Sequence, residues 1–166
     1  MTAYIDTEPR VTGARSEAPI REVVAAVGAP PVYSRWITID QEMIDRFAAL
    51  TNDHTWLHVD RERAAEGAFG TTIAHGFLTL SMIATMAFDV LPRVSDAKFG
   101  MNYGMNKVRF ISPVRQGSRV RGAFVLSAVK GEEGSGRVEM TYSVTIEIEG
   151  VDKSALVAEW IRVALF

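Results

Sequence analysis

The chain of 166 residues contains no cysteine, which excludes a disulfide scaffold, a thiolate metal site and a cysteine nucleophile. It also lacks an excess of either charge, because 18 lysines and arginines stand against 20 aspartates and glutamates, for a net charge of −2. This balance offers no polycationic surface to a phosphate backbone, so we expect no nucleic-acid partner. The length fits one domain, which can bury roughly 70% of its unfolded surface around a single core.

Long apolar runs are missing as well. The first ten residues, MTAYIDTEPR, carry acidic side chains and no extended apolar region, which does not favour a secretory signal. The most apolar segment, 73–90, is interrupted by polar side chains such as His75, Thr79 and Asp89, whereas a membrane span needs about 20 mostly apolar residues. We therefore expect a cytoplasmic protein that does not enter a membrane.

Local patterns predict helices in the first half of the chain. Residues 1–17 have no period and are predicted to form a flexible arm, followed by a single domain over 18–166. Helices are predicted over 19–27, from an N-cap at Asp40 to about Leu50, over 61–66 and over 75–91, with an extended segment at 33–39. The last helix is apolar on nearly every face, which is typical of a helix enclosed by protein.

The second half of the chain has the patterns of strands. Residues 137–149 alternate strictly between apolar and polar side chains, and 107–111, 120–129 and 155–166 are also predicted strands. Glycines at 131, 134 and 136 suit turns between antiparallel strands. Helices first and strands afterwards predict an α+β fold in which a long, curved antiparallel sheet surrounds one buried helix.

Polar side chains at residues 51–60 interrupt the apolar helical pattern, and this polar break contains the first candidate catalytic residues. Asp53 and His58 are five residues apart, so they cannot share a helix face, but on an extended or looped segment both can turn into one cavity. A carboxylate and an imidazole suit general acid and base catalysis on a water molecule held between them. On spacing alone, a capping aspartate and a surface histidine are the simpler interpretation.

The second candidate segment begins the apolar helix. Gly76 at a helix N-terminus leaves an unshielded N–H, which together with the helix dipole can stabilise a developing oxyanion. Alternatively, this glycine only allows the helix to pack close to a strand. His75 is expected to form a structural hydrogen bond to the backbone, and Ser81 taken alone is expected to bond back to its own helix.

Taken together, the segments FAALTNDHTWLHVDRERA and FGTTIAHGFLTLS resemble the two-part hydratase motif of the MaoC-like (R)-specific enoyl-CoA hydratases. NDHTWLHVD with the later NYGMNKVRFISPV is similar to the nodulation-protein-N-like branch of that family. The resemblance covers residue 36 to the C-terminus and departs from the usual wording at Asn52, His54, Thr55 and Trp56. It implies a hotdog fold, in which an antiparallel sheet wraps around a central helix, usually in a homodimer whose sheets join edge to edge.

The resemblance also implies roles for individual residues. Asp53 and His58 match the catalytic dyad, Gly76 the oxyanion-hole donor, and Ser81 a supporting serine, with His75 beside it. The implied reaction is the hydration of a trans-2-enoyl thioester of CoA or acyl carrier protein to the (3R)-hydroxyacyl thioester, or the reverse dehydration, without a cofactor or metal. Which member of the dyad is the base is left open.

Five further residues are predicted to contact the substrate in that geometry. Trp56 is expected to shorten the acyl tunnel, and Lys107 and Arg109 to meet the phosphates of CoA. For Asn102 and Tyr103 the alternative is packing at the strand edge, and for Lys107 and Arg109 it is a solvated strand face. The full set is Trp56, Asn102, Tyr103, Lys107 and Arg109.

Three alternatives to this interpretation are open. A metal site is suggested by His54 and His58, four residues apart, with Asp53 and Asp60 nearby, although a helical spacing conflicts with the predicted loop. The unusual residues around the dyad also fit a non-catalytic acyl-binding subunit of a heterodimeric dehydratase. The third alternative is a hotdog thioesterase, in which the water would attack the thioester carbonyl.

Overall fold

The computed structural model describes residues 15–131 and 134–166 of the chain. It begins with β1 (Glu17–Ala18), α1 (Ile20–Ala25), β2 (Val32–Tyr33) and β3 (Ile37–Thr38). The helices α2 (Gln41–Thr51), α3 (Trp56–Val59), α4 (Arg61–Ala65) and α5 (Gly76–Val90) follow. The remainder consists of the strands β4 (Arg93–Val94), β5 (Phe99–Phe110), β6 (Arg119–Lys130), β7 (Arg137–Ile148) and β8 (Leu156–Leu165). The predicted α+β hotdog fold is confirmed.

The predicted N-terminal arm falls largely on residues 1–14, which lie outside the described residues. The end of that segment contacts the domain, because Arg15 Nε donates to the carbonyl of Leu91 at 2.9 Å. Glu17–Ala18 pairs in parallel with Arg93–Val94, forming a small separate sheet. The chain is therefore attached from Arg15 onward, and the rest of the division into arm and domain stays a prediction.

The large sheet has the strand order β2-β6-β7-β8-β5, with β3 also pairing with β6, and every pairing is antiparallel. In β7 the alternate residues from Val138 to Ile148 are buried, as the alternating pattern predicted. β5 forms one edge of the sheet, and within the described residues it pairs only with β8. Its register shifts twice, between Asn102 and Gly104 and between Asn106 and Arg109.

The ends of α2 follow directly from its sequence. The Asp40 side chain accepts a hydrogen bond from the backbone N–H of Met43 at 2.8 Å, which confirms the predicted N-cap. The helix ends at Asn52, which adopts the left-handed conformation with φ 57°. Only glycine and, less often, asparagine adopt this conformation readily, so Asn52 suits a helix C-cap.

α5 buries Leu78, Ile83, Met86 and Ala87 in the core. Gly122 in β6 lets the helix approach the sheet, because a Cβ at this position would lie 3.2 Å from the Met86 sulfur. The prediction that α5 is enclosed on nearly every face is wrong for one stripe.

Along that stripe Phe77 is 68% and Phe88 51% exposed, with Ser81 exposed between them. The apolar composition of a helix indicates that its faces avoid water, but it does not reveal which part of the protein packs on each face. Among the described residues, no helix is both long and apolar enough to cross a bilayer.

Candidate active site

The polar break after α2 is only partly a loop. Asn52 reverses the chain, Asp53 lies in the loop that follows, and His58 lies in α3, a helix of four residues. The prediction of an extended or looped segment is therefore wrong for α3. A single turn is too short to produce a recognisable hydrophobic period, which explains the difference.

Three titratable side chains converge at this point. One carboxylate oxygen of Asp53 and one ring nitrogen from each of His58 and His75 all lie within 4.8 Å of one another. A water molecule with hydrogen bonds of about 2.8 Å can bridge two atoms separated by up to about 5.6 Å. The arrangement therefore permits one water molecule to contact both Asp53 and His58.

The hydrogen bond at His58 Nδ1 determines which ring nitrogen can accept a proton. Nδ1 lies 2.7 Å from the carbonyl oxygen of Ile73. Because a carbonyl oxygen can only accept, Nδ1 carries the hydrogen, and Nε2 of the neutral ring is left as a proton acceptor.

His75 supports both members of the pair. It is 3% exposed, and its ring stacks on that of His58 with centroids 3.8 Å apart and an interplanar angle of 25°. Its Nε2 donates to the backbone carbonyl of Asp53 at 3.0 Å, which is the structural hydrogen bond to the backbone predicted for this residue. Within the described part of the chain, its Nδ1 is buried without a hydrogen-bond partner.

Asp53 is stabilised in its ionised form. Its Oδ1 accepts hydrogen bonds from the Thr55 hydroxyl at 2.7 Å and from the Thr55 backbone N–H at 3.3 Å. These two bonds lower the pKa of the Asp53 carboxyl, and the nearby rings of His75 and His58 lower it further. Asp53 is therefore an acceptor at neutral pH.

A cavity of about 270 Å³ opens beside His58. Gly76, the first residue of α5, lines it together with Phe110 at the end of β5. The first N–H groups of a helix have no acceptor within the helix, so the Gly76 N–H is available to a ligand. A Cβ on Gly76 would lie 3.1 Å from the Phe110 ring, so the glycine also permits this close contact. Other lining residues are Ile73, Ala74, Thr79, Ile111, Ser112, Pro113, Val114 and Ala155.

Two residues of the predicted site lie away from this cavity. Ser81 is exposed, and its hydroxyl donates to the carbonyl of Phe77 at 2.7 Å, so its supporting role stays a prediction. Trp56 packs beneath the guanidinium of Arg63, which lies 4.4 Å from the ring centroid. Two residues along a helix are separated by about 200°, so Trp56 and His58 face opposite ways from α3. Trp56 is therefore not among the residues that line this cavity, and its effect on an acyl tunnel stays a prediction.

The predicted substrate-binding residues of β5 are not brought to the cavity within one chain. The Arg137 guanidinium lies over the ring of Tyr103, 4.6 Å from its centroid. Lys107 pairs with Glu159 at 2.5 Å and adopts φ 52° at a register shift.

Arg109 donates to the neighbouring carbonyl of Val108 at 2.8 Å, and Asn102 lines a different cavity. Lys107 and Arg109 are both exposed, as their alternation with Val108 and Phe110 predicted, and their contact with CoA stays a prediction.

Sequence reasoning missed a buried residue that holds the His58 backbone. Gln41 is 6% exposed, and its Nε2 donates to the His58 carbonyl and to Asp45 Oδ1, each at 2.8 Å. Its Oε1 accepts a hydrogen bond from the Thr72 hydroxyl. A glutamine in the first turn of a helix carries no local signal of such contacts.

The three converging side chains form a carboxylate and two-imidazole set of a kind that binds divalent metals elsewhere. The geometry fits one ion poorly, because an imidazole coordinates in the plane of its ring and these two rings are stacked. His58 Nδ1 and His75 Nε2 are also both occupied by carbonyl groups. His54, the other histidine of the predicted metal alternative, is exposed and lies outside the cluster.

Comparisons with known proteins agree with this geometry. The family described as "MaoC like domain" matches residues 22–148. Nodulation protein N of Rhizobium meliloti (strain 1021) is 50% identical over 152 residues, covering 90% of this chain and 93% of the relative. The 3-hydroxyacyl-thioester dehydratase Z of Mycobacterium tuberculosis (strain ATCC 25618 / H37Rv) is 48% identical over 140 residues, covering 84% of this chain and 91% of the relative.

A solved structure of the (R)-hydratase from A. caviae involved in PHA biosynthesis superposes with a TM-score of 0.66. It is 25% identical, and the match covers 80% of this chain and 94% of that structure.

Proposed function

Because the chain belongs to the MaoC-like family, in its nodulation-protein-N-like branch, we propose that it catalyses (R)-specific hydration of trans-2-enoyl thioesters or the reverse dehydration. It is an enzyme of the hydratase or dehydratase class, as the sequence predicted. The observation that carries this proposal is the convergence of Asp53 and His58 beside a cavity that is lined by Gly76, the first residue of α5. The substrate is a thioester of CoA or acyl carrier protein.

In this proposal, His58 is the base and Asp53 orients the water. One water hydrogen faces His58 Nε2, which is the accepting nitrogen because Nδ1 donates to Ile73. The other hydrogen faces the ionised carboxylate of Asp53. As Nε2 takes its proton, the water oxygen bonds to C3 of the enoyl thioester, and the electron pair of the C2–C3 double bond moves to the carbonyl oxygen. The His58 imidazolium then returns the proton to C2, which restores the carbonyl and leaves a hydroxyl at C3.

Gly76 stabilises the charge that develops on the thioester oxygen. Its N–H stands at the N-terminus of α5, where the helix dipole favours negative charge. A single donor of this kind contributes about 3 kcal/mol to transition-state stabilisation. The helix spans 15 residues and is anchored in the core, so the donor is held in place before the substrate arrives.

We also propose that the protein is a homodimer joined through β5. This edge strand exposes Phe99, Met101, Tyr103 and Phe110, and an unprotected apolar edge strand is a template for pairing with another chain. Sedimentation analysis of the wild type should give a dimer, and Met101→Lys should shift it toward monomer. A monomeric wild type would reject this pairing.

The activity is tested by hydration of crotonyl-CoA, and of a longer enoyl-CoA, by purified protein near neutral pH. Asp53→Asn and His58→Ala should each lower kcat/KM at least about 100-fold, because general acid–base catalysis contributes about 100- to 10,000-fold. His54→Ala is the matched control, since this histidine is exposed and lies outside the cluster.

Other outcomes identify the competing functions. Undiminished turnover in both dyad variants would reject the assigned roles. Binding of acyl-CoA without turnover would favour a non-catalytic subunit, and release of free thiol would favour a thioesterase.

A further inference from the structure

A second cavity, of about 460 Å³, lies between the beginning of β5, the second half of α5 and β8. Four cationic side chains line it, and the lining contains no aspartate or glutamate. These cations are Arg15, Arg93, Lys98 and Arg162. Since the whole chain has a net charge of −2, this cavity is a local concentration of positive charge.

Among the described residues, three of these four cations lack an acidic partner. Arg93 pairs with Glu17 at 2.7 Å, but no carboxylate within residues 15–131 and 134–166 forms an ion pair with Arg15, Lys98 or Arg162. Burial lowers the pKa of the Arg162 guanidinium, and burial followed by repulsion from Arg162 lowers the pKa of Arg15. Guanidinium groups nevertheless stay charged in proteins. Arg15 donates to the carbonyl of Leu91 and Arg162 hydrogen-bonds Tyr142, so the two partly buried like charges have neutral partners but no negative charge beside them among the described residues.

A buried hydrogen-bond donor accompanies these charges. Trp160 lines the cavity and is 2% exposed, and within the described part of the chain its indole N–H has no hydrogen-bond partner. Buried donors without partners are rare in folded proteins. Asn102, on β5, adds a side-chain amide to the same lining. The cavity therefore combines positive charge that no described carboxylate pairs with and one buried donor, the Trp160 N–H, that has no acceptor among the described residues.

We propose that this cavity binds a phosphate group through Arg162, Arg15 and the indole N–H of Trp160. A phosphate supplies several acceptor oxygens and up to two negative charges, and guanidinium groups bind phosphates through paired hydrogen bonds. The phosphate comes either from free phosphate or pyrophosphate or, resting on the proposed function, from the phosphate groups of a CoA thioester.

In the proposed dimer, this cavity lies close to the catalytic cavity of the partner subunit. Phe99 and Asn102 lie at one end of β5, whereas Phe110, which lines the catalytic cavity, lies at the other. Antiparallel pairing of two β5 strands about their midpoint sets residues 99–102 of one copy opposite residues 107–110 of the other. The phosphate cavity of one protomer then adjoins the catalytic cavity of its partner, and one long thioester can reach both.

Calorimetric titration of the full chain with pyrophosphate and with CoA tests the site without requiring turnover. Both probes should bind the wild type, and Arg162→Gln should weaken both at least about tenfold, as expected for loss of a charge-assisted contact. Arg21→Gln is the matched control, because Arg21 is exposed on α1 and lies outside the lining of both cavities. Trp160→Phe keeps an aromatic side chain but removes the five-membered ring that carries the N–H, so it should weaken binding several-fold even if Arg162→Gln is unstable.

Kinetics separate the two sources of phosphate. If the carrier's phosphate binds here, Arg162→Gln raises KM for crotonyl-CoA and leaves KM for crotonyl-pantetheine unchanged. If pyrophosphate binding weakens and KM for both thioesters is unchanged, the ligand is free phosphate. Wild-type affinity for pyrophosphate and CoA in both Arg162→Gln and Trp160→Phe overturns the site. If the protein hydrates crotonyl-CoA but does not bind the anions, the phosphate site is rejected and the proposed function stands. If it binds the anions but does not hydrate crotonyl-CoA, only the proposed function is rejected.

Discussion

Replacing Gln41 with leucine tests whether α2 holds the His58 turn in position. The glutamine amide donates to the His58 carbonyl and to Asp45, and it accepts from the Thr72 hydroxyl. Leucine is of comparable size but can form none of these bonds. The change therefore removes the polar contacts and keeps most of the packing.

The three bonds set the size of the expected effect. At a net contribution of about 1 kcal/mol each, their loss should lower the free energy of unfolding by about 3 kcal/mol. For a chain of this size that corresponds to a fall in Tm of roughly 6–12 °C. A displacement of His58 by about 1 Å should in addition lower kcat about 100-fold.

The assay combines urea denaturation with enoyl-CoA kinetics at one fixed protein concentration. Gln116→Leu is the matched control, because Gln116 is exposed and its substitution should change stability by less than about 0.5 kcal/mol. Equal stability of Gln41→Leu and Gln116→Leu would refute the energetic reasoning. A lower stability of Gln41→Leu with wild-type kcat would refute the positioning of His58.

Three further predictions concern individual positions. Asn52→Ala should cost about 1 kcal/mol of stability in urea denaturation, because Asn52 is left-handed with φ 57°, whereas Asn52→Gly should be as stable as the wild type; equal stability of both variants would contradict this. Thr55→Val should raise the pKa of Asp53 by removing the hydroxyl hydrogen bond. A depressed carboxyl pKa stabilises the fold at pH values above the unfolded pKa, and this stability is lost as the pH falls from the unfolded to the folded pKa. In Thr55→Val the contribution of Asp53 should therefore be smaller, and its loss should be complete at a higher pH. The acid limb of the pH profile of kcat/KM should also move to higher pH, and an unchanged limb would exclude Asp53 as the titrating group. Gly122→Ala should cost about 1–3 kcal/mol, since its Cβ would lie 2.6 Å from a buried aromatic ring, while Gly104→Ala has nothing within 4 Å and serves as control.

Local sequence patterns predicted the parts of the fold that are determined by residues close together in the chain. The Asp40 cap and the alternation along β7 are determined within a few positions of the chain, and both are present as predicted. The exposed stripe of α5 was not predicted, because apolar periodicity measures avoidance of water and not the partner that covers it. α3 was missed because one helical turn has no measurable period.

The residues of the candidate site could be predicted only where they belong to a recognisable sequence motif. Asp53, His58 and Gly76 were named from the two segments that resemble the hydratase motif, and the structure brings them to one place. Gln41 and Thr72, by contrast, are 31 residues apart and meet only through tertiary packing. No local pattern in a single sequence reports such a pair.

The two register shifts of β5 have a consequence for behaviour at high concentration. Stacking of many copies into a fibril needs a straight, regular strand that repeats its pairing without limit, and each bulge bends the strand and interrupts its ladder of hydrogen bonds. The left-handed residue Lys107 lies at one of these shifts, on an edge strand that exposes Phe99, Met101, Tyr103 and Phe110. In the proposed dimer this strand pairs with one neighbour, and its irregularity opposes open-ended aggregation.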